Sequence, residues 1–330
     1  MTEAITADGV ELTYSDGTEA VQGIDLHISA GEFFGFLGPN GAGKTTVIET
    51  LVTRLEPTAG SVTVNGFDTI TDSRDVRRSV GYMAQETSID KELTARENIQ
   101  FACEAYGVPP DDERIDALLD LADLADVADK SPKTFSGGMK KRLDVTTALV
   151  HNPPIVFLDE PTTGLDPTAR NRLWEYFCEI NVRGTTLFLT TQYLEEADEL
   201  CDRIAVINAG EIVATGSPAA LKRTVGGDIL DVELADDTDT AVERATEVVA
   251  DLTDDATVQR TEASLTIASP QIRSHSLDLL VALRDAGFEI TGFNVRSPTL
   301  DDVFLAITGE ETGTPTQDTE SSTLDQGVTQ

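Results

Sequence analysis

Short, unbroken apolar runs, each closed by a polar or glycine-rich turn, recur along this chain and read as strands buried on both faces. They are Glu32–Leu37, Val80–Gln85, Ile155–Glu160 and Thr185–Thr190. Ile204–Asn208 and Glu211–Gly216 form a hairpin around Ala209-Gly210. Three stretches alternate apolar and polar positions instead, as half-buried strands do: Val10–Tyr14 and Ala20–Ile28, joined by Ser15-Asp16-Gly17, and Ser61–Gly66, which ends in a hairpin signal. Helical spacing appears over Thr46–Leu55 and through most of Leu93–Leu124, where Ile115, Leu118, Leu119 and Ala122 share a face. Gly107-Val108-Pro109-Pro110 interrupts that helical insertion, and further helices are expected up to Val150 and over Tyr193–Leu200.

Strands alternating with helices predict an α/β core with parallel strands, flanked by a small antiparallel sheet and a helical insertion. Beyond a linker at Thr224-Val225-Gly226-Gly227 the pattern changes. Strand 229–234, helix 238–251, strands 256–260 and 264–268, helix 275–287 and strand 289–296 follow in βαββαβ order, which predicts a ferredoxin-like α+β domain. Pro298–Ile307 reads as a short capping helix, and residues 308–330, rich in Gly, Thr, Gln and acids without periodicity, as a disordered tail. The expected division is therefore 1–225, 228–307 and 308–330.

Composition supports a folded protein: 40% of residues are hydrophobic, with twelve Phe, five Tyr and one Trp. No apolar run approaches the ~20 residues that cross a bilayer, and Met1-Thr2-Glu3-Ala4 lacks the basic and apolar regions of a leader. An intracellular protein without direct bilayer insertion is expected, reaching a membrane only through a partner. Cys103, Cys178 and Cys201 show no metal-ligand spacing and read as buried thiols. The formal charge is −35, from 59 acidic and 24 basic residues. Such a surface repels nucleic acid and anionic lipid, so neither is an expected partner. Acid spread over the whole chain matches the solvation used by halophilic proteins.

The chemistry gathers at three places. Gly38-Pro39-Asn40-Gly41-Ala42-Gly43-Lys44-Thr45 follows a strand and opens a helix, with the G-x-x-x-x-G-K-T spacing of a P-loop. Gly41 and Gly43 let amide protons and the helix N-terminus surround phosphates; Lys44 is placed for the β/γ-phosphates and the Thr45 hydroxyl for Mg²⁺. Ser136-Gly137-Gly138 is a natural N-cap followed by open amides. Lys130, Lys133, Lys140 and Lys141, four of seven lysines, lie around it as either a solvated face or a second phosphate-facing element. Asp159-Glu160 ends a central strand at the sheet edge where ligands bind. One carboxylate can hold Mg²⁺ through water and the other can polarise an attacking water. Tyr14 can stack on an adenine ring or simply pack on the sheet, and Gln85 taken alone is a strand-end amide.

Together the P-loop, Phe135-Ser136-Gly137-Gly138-Met139, the Asp159-Glu160 pair and their order resemble the ATP-binding subunit of ABC transporters over residues 3–217. Met139-Lys140-Lys141-Arg142 and Pro298-Thr299-Leu300-Asp301-Asp302-Val303-Phe304-Leu305 look most like the daunorubicin/multidrug resistance exporter type. The resemblance implies an ATPase that uses ATP and Mg²⁺ to drive a separate transmembrane permease, held through it at the inner face of the membrane. It implies that ATP is bound by Tyr14, Gly38, Pro39, Asn40, Gly41, Ala42, Gly43, Lys44, Thr45 and Thr46, with Mg²⁺ held by Thr45, Gln85 and Asp159. Glu160 is then the catalytic base, and Gln85 also couples the site to the permease. ATP would lie between two subunits of a homodimer, Ser136, Gly137 and Gly138 of one facing the γ-phosphate on the other, with Leu165-Asp166 in the dimer-contact loop. One residue departs: the family's switch histidine falls at Gln192, which can donate a hydrogen bond but cannot carry charge. A slow ATPase is therefore expected, with a nucleotide-gated regulatory or scaffold subunit that scarcely hydrolyses ATP as the alternative.

Overall fold

The computed structural model describes residues 2–235, 240–250, 252, 256–261 and 264–308. The first half comprises β1 (Glu3–Thr13), β2 (Glu19–Ser29), β3 (Phe33–Leu37), α1 (Lys44–Leu51), β4 (Ala59–Val64), β5 (Phe67–Asp68), α2 (Ser73–Ser79), β6 (Val80–Met83), α3 (Ala95–Tyr106), α4 (Asp112–Leu121), α5 (Gly137–Ala148) and β7 (Ile155–Asp159). There follow α6 (Pro167–Val182), β8 (Thr186–Thr191), α7 (Leu194–Leu200), β9 (Arg203–Asn208), β10 (Glu211–Gly216) and α8 (Pro218–Arg223). The C-terminal part comprises β11 (Asp228–Leu234), α9 (Thr240–Ala250), β12 (Thr257–Thr261), β13 (Ser264–Ser269), α10 (Ile272–Asp285), β14 (Ile290–Arg296) and α11 (Leu300–Thr308).

The central sheet runs β10-β9-β3-β8-β7-β6, parallel except for the edge hairpin strand β10. Its strands are apolar on both faces because both are covered. Phe34, Phe36, Ile155, Phe157 and Phe188 point toward the antiparallel sheet β2-β1-β4-β5; Phe33, Leu37, Val156, Leu158 and Leu189 point into the helical layer. Phe188 meets Phe34, Phe36 and Phe157 at ring-centroid separations of 5.5–5.7 Å. Burying each ring is worth about 1.5–3 kcal/mol, so this cluster fixes the two sheets against each other under the P-loop.

Several boundaries differ from the sequence expectation. Helix α1 begins at Lys44 and ends at Leu51, because Thr53 turns left-handed at φ 65° and the amides of Arg54 and Leu55 fold back onto the Glu49 carbonyl. Cys103 and Cys201 are buried, whereas Cys178 is exposed: α6 buries Leu173, Trp174, Tyr176, Phe177 and Ile180, and Cys178 follows Phe177 onto the opposite face. The Asn65-Gly66 hairpin signal does join β4 to β5, both residues having positive φ.

The C-terminal sheet is fully antiparallel in the order β12-β13-β11-β14, with α9 and α10 supplying the apolar layer over it. That is the strand order of a ferredoxin-like βαββαβ unit. Helix α11 leaves this layer, and its Leu300, Val303 and Phe304 join the helical-side core of the first part beside α7 and α8. Arg296 holds the departure point: its Nε donates to Asp231 at 2.7 Å, and its NH groups donate to Asp302 on α11 at 2.6 and 2.9 Å. The tail expected from residue 308 lies, beyond Thr308, outside the described residues.

Candidate functional site

The loop after β3 is shaped by what a side chain would strike. Gly41 and Gly43 take φ of 81° and 105°, a region that L side chains avoid. A Cβ on Gly43 would lie 2.5 Å from the Ala20 carbonyl oxygen, and one on Gly38 would lie 2.4 Å from that of Ile207. The loop is thereby pressed against β2 and β9, and α1 opens directly from it. Lys44 is 4% exposed and its ammonium donates to the carbonyls of Gly38 (2.9 Å) and Pro39 (3.0 Å). Its third neighbour is Glu160 Oε1, at 3.1 Å in an ion pair with both side chains nearly enclosed.

Strands β7 and β8 bring the acids to the same edge. Asp159 pairs in register with Thr190, whose hydroxyl donates to Asp159 Oδ1 at 2.5 Å. Thr45 Oγ1 reaches the same oxygen at 3.5 Å. Asp159 Oδ2 is buried and has no hydrogen-bond partner among the described residues. Burial pushes the Asp159 carboxyl above its ordinary range, the two threonine hydroxyls opposing. Glu160 follows in left-handed backbone, φ 46°, its amide donating to both the carbonyl and hydroxyl oxygens of Thr190 at 3.1 Å. Thr190 therefore positions both acids. Sequence reading missed it because a threonine at the end of a strand carries no motif; the parallel register alone reveals the pairing.

An acidic group with a free buried oxygen next to a hydroxyl suits a hard cation with oxygen ligands, and a glycine loop with open amides suits phosphates. The residues present thus fit ATP and Mg²⁺. Among the described residues no cluster of three or more His, Cys, Asp or Glu forms an all-protein metal site.

The other predicted residues are distributed around this centre. Tyr14 is 39% exposed, and its hydroxyl is 3.0 Å from Thr46 Oγ1 at the start of α1. Gln85 is exposed, and its carbonyl accepts from Lys141 Nζ at 3.3 Å. Lys141, expected from the sequence on a solvated face or a second phosphate-facing element, is half-buried, and burial lowers its pKa against the opposing charges of Asp144, Asp159 and Glu160. Gln192 is half-buried at the end of β8 and its side chain makes no hydrogen bond among the described residues. Ser136 caps α5, accepting from the Met139 amide at 3.3 Å, and Asp166 caps α6, accepting from the Ala169 amide at 3.0 Å. These two helix starts pack together: a Cβ on Gly138 would sit 3.0 Å from Ala169 Cβ, and one on Gly137 3.1 Å from Leu165. They share a cavity of about 340 Å³ and make no bond to Lys44, Thr45 or Glu160 among the described residues.

A family model described as ABC transporter matches residues 21–163, and one described as the C-terminal domain of DrrA1-3-like ATP-binding proteins matches 216–308. The chain is 41% identical over 311 residues to the daunorubicin resistance ATP-binding protein DrrA3 of Streptomyces coeruleorubidus, covering 93% of this chain and 96% of the relative. It is 40% identical to the daunorubicin/doxorubicin resistance ATP-binding protein DrrA of Streptomyces peucetius, covering 93% of each. Among solved structures, a dimeric post-hydrolysis ATP-binding cassette bound to ADP and Pi superposes with a TM-score of 0.59 at 28% identity, covering 64% of this chain and 98% of that one.

Proposed function

This chain belongs to the ATP-binding subunits of ABC transporters, and on that premise we propose a residue-level reading of its hydrolytic site. The subunit binds and hydrolyses ATP, dimerises, and drives transport through a separate membrane permease. Among the described residues no helix is long and apolar enough to cross a membrane. We assign residues 1–225 to the ATP-binding domain and 228–307 to a second domain, and locate the protein at the inner face of the membrane on its permease. We read the direction as export, which suits the daunorubicin resistance in the relatives' names.

The observation that carries the reading is the meeting of Lys44 and Glu160 at 3.1 Å beside the free Oδ2 of Asp159. Phosphate oxygens would replace the Glu160 carboxylate and the loop carbonyls as acceptors for Lys44. That exchange frees Glu160 to accept a hydrogen bond from the attacking water and take its proton as the new P–O bond forms and the bond from the γ-phosphorus to the bridging oxygen breaks, releasing ADP. Asp159, Thr45 and, through its exposed amide, Gln85 would hold Mg²⁺, which supplies charge neutralisation at the phosphates. Tyr14, anchored on Thr46, offers its ring to adenine. Ser136, Gly137 and Gly138, with Asp166 beside them, would meet the γ-phosphate held by the partner subunit. The exposed Phe101 lines a cavity of about 310 Å³ with Tyr82, Asn98 and Tyr106 near the Gln85 loop, and this is the surface we assign to the permease. Turnover of ATP by the wild type in molar KCl, with Mg²⁺ and with chelator, tests the reading: hydrolysis that persists undiminished without Mg²⁺ counts against it.

A second reading, a nucleotide-gated subunit with little hydrolysis, draws on Gln192. Its amide can donate to a phosphate oxygen but supplies no positive charge. Restoring histidine is expected to raise turnover about tenfold, a barrier change of about 1.4 kcal/mol, with ATP affinity unchanged. Steady-state rates of Gln192→His beside an equilibrium nucleotide titration check this. Unchanged turnover would mean that the glutamine already completes the mechanism.

A further inference from the structure

Behind the site lies a buried acid that the scheme above does not use. Glu196, on α7, is 0% exposed, and its Oε1 accepts from Trp174 Nε1 on α6 at 2.9 Å. Thr162 and Thr191 stand near enough to act on its ionisation, yet among the described residues neither Glu196 Oε2 nor Thr162 Oγ1 has a partner of good hydrogen-bond geometry. Both atoms are fully enclosed, and Thr162 is only 2% exposed. Leaving two buried polar atoms unpaired is costly.

The addresses of these residues give the pair its meaning. Thr162 is two residues after Glu160, in the turn whose Thr163 hydroxyl approaches Glu160 Oε2 at 3.4 Å. Thr191 immediately precedes Gln192, and its hydroxyl accepts from the Tyr193 amide at 2.9 Å. Glu196 thus sits between the turn carrying the proposed base and the turn carrying the switch position, with the rigid α6 behind it. Arg170 reinforces the same corner, its guanidinium lying 5.6 Å from the Trp174 ring and 5.8 Å from that of Tyr193.

We propose that Glu196 is a positioning residue of ATP hydrolysis, its carboxyl group bonding the Thr162 hydroxyl so that the Glu160 and Gln192 turns move as one. The pocket gives the carboxyl group an indole N–H on one oxygen and leaves the other enclosed. Burial pushes the Glu196 pKa up, opposed by Thr191, Trp174, Thr162 and the charge of Arg170, which also pairs with Glu195 at 3.6 Å. Protonated, the carboxyl group donates its O–H to Thr162; ionised, it accepts the Thr162 hydroxyl; in both forms Oε1 keeps the indole N–H. The inference rests on the reading of Glu160 and Gln192 as the groups that act at the γ-phosphate, and Glu160→Gln tests that reading separately.

The test is a double-mutant cycle on the full chain in molar KCl, with Mg-ATP as substrate and thermal unfolding followed in parallel. Thr162→Val and Glu196→Leu are each expected to lower kcat about tenfold with KM for ATP within about twofold. The double variant should be no worse than the poorer single one, because one bond has been removed twice. Glu196→Gln keeps an N–H donor and should stay within about threefold of wild type, as should Thr162→Ser, which keeps the hydroxyl. Should Glu196→Leu fail to fold, the contrast between Thr162→Val and Thr162→Ser decides. Losses that multiply in the double variant, equal losses in Glu196→Gln and Glu196→Leu, or a lowered Tm with unchanged kcat would each overturn the proposal. Any of those results beside an inactive Glu160→Gln would leave the hydrolytic reading standing.

Discussion

Replacing Glu160 with glutamine is expected to lower ATP turnover by about 10²–10⁴-fold while leaving nucleotide bound. The carboxylate is the one base among the groups that meet at Lys44, and an amide cannot take a proton from water. That factor corresponds to about 2.7–5.4 kcal/mol in the barrier. The fold should tolerate the change. Glutamine has the same shape, its carbonyl can still accept from Lys44 at the position of Oε1, and Lys44 keeps the Gly38 and Pro39 carbonyls. The amide of residue 160 donates to Thr190 through the backbone and is unaffected. Removing a negative charge next to incoming phosphates should also tighten ATP binding. Rapid-quench turnover with retention of labelled ATP on the variant gives both quantities. Equal rates in wild type and variant would remove Glu160 from the chemistry.

The meeting of the glycine loop with Glu160 at one sheet edge was legible in the sequence, for a physical reason. A P-loop is a local device: its glycines, lysine and threonine act within one turn, so spacing alone specifies geometry. Asp159 and Glu160 were equally local, the end of an apolar run. Contacts that depend on strand order were not. Thr190 meets Asp159 because β8 lies beside β7 in parallel register, and no single-strand pattern encodes its neighbour. The same holds for Glu196, an acid in an acidic helical stretch, whose complete burial depends on Trp174 crossing above it. Cys178 failed differently: helical periodicity marks a face only to within one residue, and the neighbouring Phe177 takes the core position. The return of α11 onto α7 and α8 was hidden because its apolar residues would suit either core.

Lowering salt from 3 M to 0.1 M KCl is expected to weaken the ATP-bound dimer by at least about 100-fold before the monomer unfolds. The formal charge of −35 sets the scale. At 0.1 M the Debye length is about 10 Å and at 1 M about 3 Å, so only concentrated salt screens neighbouring surface carboxylates. The surface proposed to face the partner's nucleotide sets three acids, Asp123, Asp126 and Asp166, against Arg142 and Arg172 around the cavity with Ser136 and Gly138. Its cations are partly committed. Arg142 is bound to Asp123 at 2.9 Å, Lys133 to Glu92 at 2.5 Å, and Lys141 to the Gln85 carbonyl. Capping α6 offsets only part of the Asp166 charge. ATP adds further negative charge to two acidic subunits, whereas the monomer is held by apolar cores that salt strengthens but does not create. Dimerisation should therefore fail first. Sedimentation of Glu160→Gln with ATP across 0.1–3 M KCl, beside circular dichroism of the same samples, separates the two transitions. Dimers of undiminished affinity at 0.1 M would show that this acidic surface does not limit assembly.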